Sequence, residues 1–250
     1  MIYENKLFNY SSKNCNNVSA EDFCNIYGFP LTSYKLIGQF KKSTVIISEI
    51  IFKNYIRFSN LLNFISSAIC HSEYIVKYTL SPPFTTSKND CEALLELLYN
   101  IKVLNEFYYS SISKSFLIYV NSDNSITISD LVNLGLSASL RRMCDENAEI
   151  LFNVTYESND IKKQTDVLLR KNEKIFLFNV ECAAGLESDI DTHDNQLKKL
   201  KNKVMKSEYI ENQRNIKEFF VVTPHTSLLL PYFKSIVTID NVVEVISKML

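Results

Sequence analysis

The sequence lacks an excess of charge of either sign: 27 Lys and Arg stand against 28 Asp and Glu in 250 residues, a formal charge of −1. Such a balance gives no global electrostatic footprint for nucleic acid, so any polyanion-binding surface must be a local patch. Apolar runs are also short, each broken by Lys, Asn or Glu before it could span a bilayer, and Met-Ile-Tyr-Glu-Asn-Lys at the start has no long apolar segment of the signal-peptide kind. A soluble, intracellular, cytoplasmic protein with no membrane partner is expected. The cysteines Cys15, Cys24, Cys70, Cys91, Cys144 and Cys182 form no Cys-x-x-Cys pair and have no histidine at zinc spacing. They read as reduced thiols that pack as small hydrophobes. His71, His193 and His225 stand singly, and a lone histidine is more often a loop or capping residue than a ligand or base, so none is given a role. Four glycines and no tryptophan reflect compositional bias and carry no chemistry.

What is present suffices for a core. Apolar residues make up 46% of the chain, which at this length fits one large domain or two small ones. A capped helix is expected from Ser19, a strand at Thr44 to Ile47 from its β-branched run, and a helix at Phe58 to Ile69 from the spacing of Phe58, Leu61, Leu62, Ile65 and Ile69. A strand follows at Tyr74 to Leu80. Pro82 to Asn89 reads as a linker. Beyond it a helix (91–103) and two strands (106–110 and 115–120) form a helix-plus-hairpin piece of winged-helix outline. Three units are expected: an α+β N-terminal domain (1–85), this connector (86–128), and a larger α/β domain (129–250). The last reads as helix 129–145, strand 150–156, a hairpin, a lysine-rich helix from Asn195 to Ser207, strands 218–223 and 236–239, and a closing helix 242–250.

The hairpin is the organising element. Val167 to Leu169 and Ile175 to Val180 are apolar runs flanking the charged connection Arg170 to Lys174. Asp166 opens the first strand and Glu181 closes the second, so antiparallel pairing brings both carboxylates to one end of the ribbon. There their hard oxygens can share a divalent cation, Mg²⁺ above all. The local basic patch nearest this point is Lys198 to Lys206, with Lys198, Lys199, Lys201 and Lys203 the candidate nucleic-acid contacts.

This pattern of a strand acid followed by Glu-X-Lys, in the order α-β-β-β-α-β-β-α, resembles the PD-(D/E)XK nuclease superfamily. The resemblance implies a restriction-endonuclease-like core, a mixed central sheet flanked by helices. It also implies two acids holding one or two Mg²⁺ or Mn²⁺ ions, and a lysine that positions or polarises the attacking water. Asp166 and Glu181 then become metal ligands, with the main-chain carbonyl of Cys182 as a further one. DNA or RNA becomes the substrate, and a homodimer an expectation. Residues 90–250 are similar in particular to the nuclease domains of CRISPR ancillary effectors switched on by cyclic oligoadenylate. The counterparts are Leu134-Gly135-Leu136, Gln164-Thr165-Asp166-Val167, Glu181-Cys182-Ala183-Ala184-Gly185 and Lys199-Leu200. A nucleotide-sensing domain is not evident in residues 1–85, and regulation by a cyclic nucleotide stays an open alternative.

The sequence departs from the family near Ala138 or Ser139, where the helix glutamate is absent, at Gln164 or Thr165, where the family has an acid before the strand aspartate, and at position 183, where Ala183 puts a methyl group in place of the family's catalytic ammonium. Loss of such a group costs a factor of roughly 10² to 10⁴ in rate, which makes this chain an inactive or impaired nuclease. Natural degeneration and engineered inactivation both account for the alanine. A migrated lysine is a third account, with Lys198, Lys199, Lys201 or Lys203 reaching back from the next helix. The alternative function is a nuclease-derived, non-catalytic scaffold binding nucleic acid or protein, the N-terminal domain offering the protein-binding surface.

Overall fold

The structure is a computed structural model that describes residues 19–26, 28–80, 87–158, 161–181, 197–205, 216–224, 227 and 233–250. Its centre is a six-stranded mixed sheet. In chain order the elements are α1 (Ala20–Ile26), β1 (Leu31–Lys35), a 3-10 turn (Ile37–Gln39), α2 (Lys42–Lys53), α3 (Tyr55–Cys70), β2 (Ile75–Thr79) and α4 (Lys88–Asn100). After these come β3 (Leu104–Ser110), β4 (Ser115–Val120), α5 (Ile128–Met143), β5 (Glu149–Ser158), β6 (Ile161–Lys171), β7 (Lys174–Val180), α6 (197–205), β8 (Ile216–Val222), β9 (Ile236–Thr238) and α7 (Val242–Ser247). The large sheet runs β1-β5-β6-β7-β8-β9, antiparallel from β1 to β7 and parallel from β7 to β9. A small antiparallel sheet is ordered β2-β4-β3.

Strand pairing runs across the borders drawn at 85 and 128. β1 pairs with β5 of the large sheet, and β2 pairs with β4. β1 gives little sign of itself in the sequence, since Leu-Thr-Ser-Tyr-Lys is an exposed edge without apolar alternation.

The β-branched stretch Thr44-Val-Ile-Ile, expected as a strand, lies inside α2. Its neighbours decide the matter: Thr44, Ile47, Ser48, Ile51 and Phe52 fall on one helical face and are all buried, so packing overrides local β preference. Gly135 of α5 is what lets α2 approach. A Cβ there would meet the Ser48 carbonyl oxygen and lie 2.6 Å from Phe52 Cβ.

Both faces of the large sheet are covered. Val167, Leu169, Phe176 and Phe178 join the core that contains α5, while Leu168, Ile175 and Leu177 join the cluster built on Ala20, Phe23 and Cys24 of α1. That is the period-2 alternation of a strand buried on both sides. On β5 the alternation slips at Asn153, whose φ is +50°. Ile150 and Phe152 belong to the α5 side, whereas Val154 and Tyr156 belong to the α1 side. Asn tolerates this left-handed conformation better than most residues, and the slip frees its side chain to face α5.

Candidate functional site

Asp166 lies within β6 and does not open it, because the strand begins at Ile161 on its long pairing with β5. The β6–β7 ladder, however, ends at Val167 opposite Phe178, one residue away. Asp166 therefore stands at the open end of that ladder. Its Oδ2 accepts the Val180 N–H at 2.7 Å and its Oδ1 accepts the Asn133 amide at 3.0 Å. Burial pushes the carboxyl above its ordinary range, opposed by these two donors; the charge of Glu181 pushes further up and that of Lys203 down. The three charged groups thus act on one another across the strand end.

Glu181 follows β7 directly, and its N–H donates to the Val221 carbonyl at 2.9 Å, which ties it to β8. Lys203 of α6 donates to Glu181 Oε1 at 2.6 Å. The placement follows from the helical repeat: Leu200 and Val204 pack on Phe220 and Val222, fixing α6 over β8, and Lys203 sits one residue off that face. The side chains of Lys203 and Glu181 are 58% and 29% exposed. A pair so open to solvent adds little stability. Lys198, Lys199 and Lys201 lie exposed on the same helix. Cys182 and Ala183 fall outside the described residues, as do Asp189, Asp191, His193 and Asp194.

Behind Asp166 runs a line of polar groups, Asn133 and Asp130 buried and Asn153 half-buried, that sequence reasoning missed. Thr127 and Asp130 cap α5 reciprocally, each accepting the other's backbone N–H. Asp130 Oδ1 also accepts Lys35 Nζ of β1 at 3.0 Å and the side-chain amide of Asn153. Asn153 Oδ1 in turn accepts Asn133 Nδ2 at 2.9 Å, and Asn133 Nδ2 reaches Asp166. Both ends of the line are carboxylates, which only accept, so the amide orientations between them are fixed by chemistry. Burial raises the Asp130 carboxyl, but the Thr127 N–H, the Lys35 ammonium and the Asn153 amide outweigh it and hold the group below its usual range. One sign was available in the sequence. Asn133 interrupts the apolar run Leu131-Val132-Asn133-Leu134, and a polar residue inside such a run has to find partners.

Asp166 and Glu181 offer hard carboxylate oxygens, the donor set that suits Mg²⁺ or Mn²⁺ with water completing the shell. Asn133 Oδ1, buried and without a hydrogen-bond partner among the described residues, adds an oxygen in the same neighbourhood. Among the described residues no group of three or more His, Cys, Asp or Glu is gathered as a metal site. The fit therefore rests on the two acids.

A scan against protein families finds no match, and a search of curated proteins finds none. Solved structures do match. Can2 from Sulfobacillus thermosulfidooxidans, in complex with cyclic tetra-adenylate, superposes with a TM-score of 0.52 at 12% identity over 91% of this chain and 59% of that one. VC1899 from Vibrio cholerae gives 0.53 and 13% over 92% of this chain and 60% of that one. The fold is shared with both proteins. At such identity the likeness concerns the fold alone, and it extends past residues 90–250, where the sequence resemblance lies, to most of the chain. The chain spans about three-fifths of the length of either neighbour. Among the described residues no helix is long and apolar enough to cross a membrane.

Proposed function

We propose that the chain is a metal-dependent nuclease acting on DNA or RNA, in which Asp166 and Glu181 hold Mg²⁺ or Mn²⁺ with the Cys182 carbonyl as a further ligand. Lys203 supplies from α6 the ammonium that Ala183 does not. The observation that carries this reading is the meeting of Lys203 with Glu181 at 2.6 Å, at the strand end where Asp166 also stands. When bound, the dication polarises a phosphoryl oxygen and lowers the pKa of a bound water. Asp166, held by the Val180 N–H and the Asn133 amide, keeps its carboxylate in one orientation before any ligand arrives. Lys203 is on a flexible stem and largely exposed, so with Glu181 engaged by a dication its ammonium would be free to meet a phosphate and offset developing negative charge there. Lys198, Lys199 and Lys201 on the same helix supply a local positive surface to a chain of balanced charge.

A second reading is a nuclease-derived scaffold without catalysis. The same ion pair favours it, because Lys203 already neutralises one of the two acids a metal would need. Residues 1–85 would then carry a protein partner, and a homodimer fits either reading.

Cleavage of single- and double-stranded DNA and RNA with Mn²⁺, with and without cyclic tetra-adenylate, separates the two. The nuclease reading predicts cutting that Asp166→Ala abolishes, that Lys203→Met lowers about 10²-fold, and that Ala183→Lys raises by up to about 10²-fold. No cutting by the chain or by Ala183→Lys, with no heat of Mn²⁺ binding, leaves the scaffold.

A further inference from the structure

Asn133 is all but sealed from solvent, at 2% exposure, in the middle of α5. Its Nδ2 spends both hydrogens, one on Asn153 Oδ1 at 2.9 Å and one on Asp166 Oδ1 at 3.0 Å. Its Oδ1 has no partner among the described residues. Turning the amide over would not help, since Oδ1 would then face the Asp166 carboxylate, another acceptor. Nor can Asn153 turn to offer a donor in its place, because its own amide is committed to Asp130, which Lys35 and the Thr127 N–H hold from the far side. The line of polar groups thus locks a bare carbonyl oxygen on the residue whose amide donates to the metal-ligand candidate Asp166. A buried acceptor left without a protein partner calls for an explanation, and an ion or an ordered water is among those that native proteins supply.

We propose that Asn133 is a ligand of the divalent cation, lending a neutral carbonyl oxygen to the two carboxylates of Asp166 and Glu181. The inference rests on the metal-site reading above and assigns it a third side chain from a third element, α5. Three such oxygens with waters suit a small, hard dication. The amide orientation that leaves Oδ1 without a donor is the same one that braces Asp166, so a single lock sets both.

The test uses the full chain carrying Cys182→Ser, which removes a neighbouring thiol and keeps the main-chain carbonyl, and adds Asn133→Cys. A thiolate at a ligand position exchanges preference for hard Mn²⁺ for soft Cd²⁺. The expected result is a Cd²⁺-thiolate ultraviolet band absent from Cys182→Ser alone, with Mn²⁺ affinity lowered at least about tenfold. No band, with Mn²⁺ affinity within twofold of the parent, overturns the assignment while leaving the two-acid site standing. No Mn²⁺ or Cd²⁺ binding by the parent is a different failure, of the metal-site reading itself, and the assignment falls with it. Should Asn133→Cys not fold, the unchanged chain decides. With ¹³C at the asparagine side-chain carbonyls, pulsed EPR of bound Mn²⁺ shows a directly coupled carbon if Asn133 ligates, and its absence overturns the proposal.

Discussion

Two units of this fold have the same build, a helix laid on antiparallel strands, and bury different things. Where α4 meets β3 and β4, the interior is Leu94, Leu95, Leu98, Leu104, Phe116 and Ile118, all fully buried and all apolar. Where α5 meets β5 and β6, the same kind of interface carries Asp130, Asn133, Asn153 and Asp166 in one hydrogen-bonded line. A dry interface gains stability from nearly every side chain it covers. A polar line has to desolvate each group first and keeps only the small net gain of its hydrogen bonds, about 1 kcal/mol each. The first unit is thus accounted for by packing alone; the second has more polar groups than packing calls for, and these converge on the strand end where Asp166 and Glu181 stand. On the proposed reading, the contrast separates what holds the chain together from what positions its candidate site.

The sharpest way to break the contrast is Asp166→Ala. Mn²⁺ affinity and Mn²⁺-dependent cleavage are expected to fall at least about 10²-fold, while the melting temperature changes little, since loss of the half-buried charge is set against two donors left unpaired. The mirror experiment is Leu98→Ala in the dry unit, expected to cost about 2–5 kcal/mol in urea unfolding and to leave Mn²⁺ affinity of the folded protein unchanged. Between the two lies Gly135→Ala, whose new methyl has to push α2 away from the Ser48 carbonyl; a loss of about 1–3 kcal/mol is expected.

The smallest effect is also the most particular, because the two acids of the polar line depend on pH in opposite senses. Asp166 has its folded pKa raised, so its contribution is present below the ordinary carboxylate range and lost as pH rises through the folded value. Asp166→Asn should therefore gain on the parent as pH rises from about 3 to about 7. Asp130 has its folded pKa lowered, so its contribution is present above the ordinary range and lost as pH falls through the folded value. Asp130→Asn should cost most near neutrality and least in acid. Urea midpoints across that range check both slopes.

Much of the architecture was readable beforehand. The order α5-β5-β6-β7-α6-β8-β9-α7 matches the expected series from residue 129 onward, because each element there shows its own period and stops at turn residues. Two elements near the start escaped for physical reasons. β1 is an exposed edge strand with no alternation to read, and the β-branched stretch in α2 is helical because its buried face packs where distant Gly135 leaves room for it. Within the site, Lys203 is one of four lysines able to reach back, and it is the one whose ammonium meets Glu181; spacing against Leu200 and Val204 alone does not separate it from Lys199 or Lys201. Asn133, Asn153 and Lys35 come from three separate elements and meet only through tertiary packing. No local pattern announces such a meeting. Asn153 needs in addition a left-handed backbone, which a sequence period does not encode.

Calorimetric titration of Mn²⁺ into the full chain, Asp166→Ala and Lys203→Met tests the central claim most directly. The account predicts one site in the full chain, its loss in Asp166→Ala, and tighter binding in Lys203→Met, where no ammonium competes for Glu181. Equal heats from all three proteins, or none from any, would contradict it.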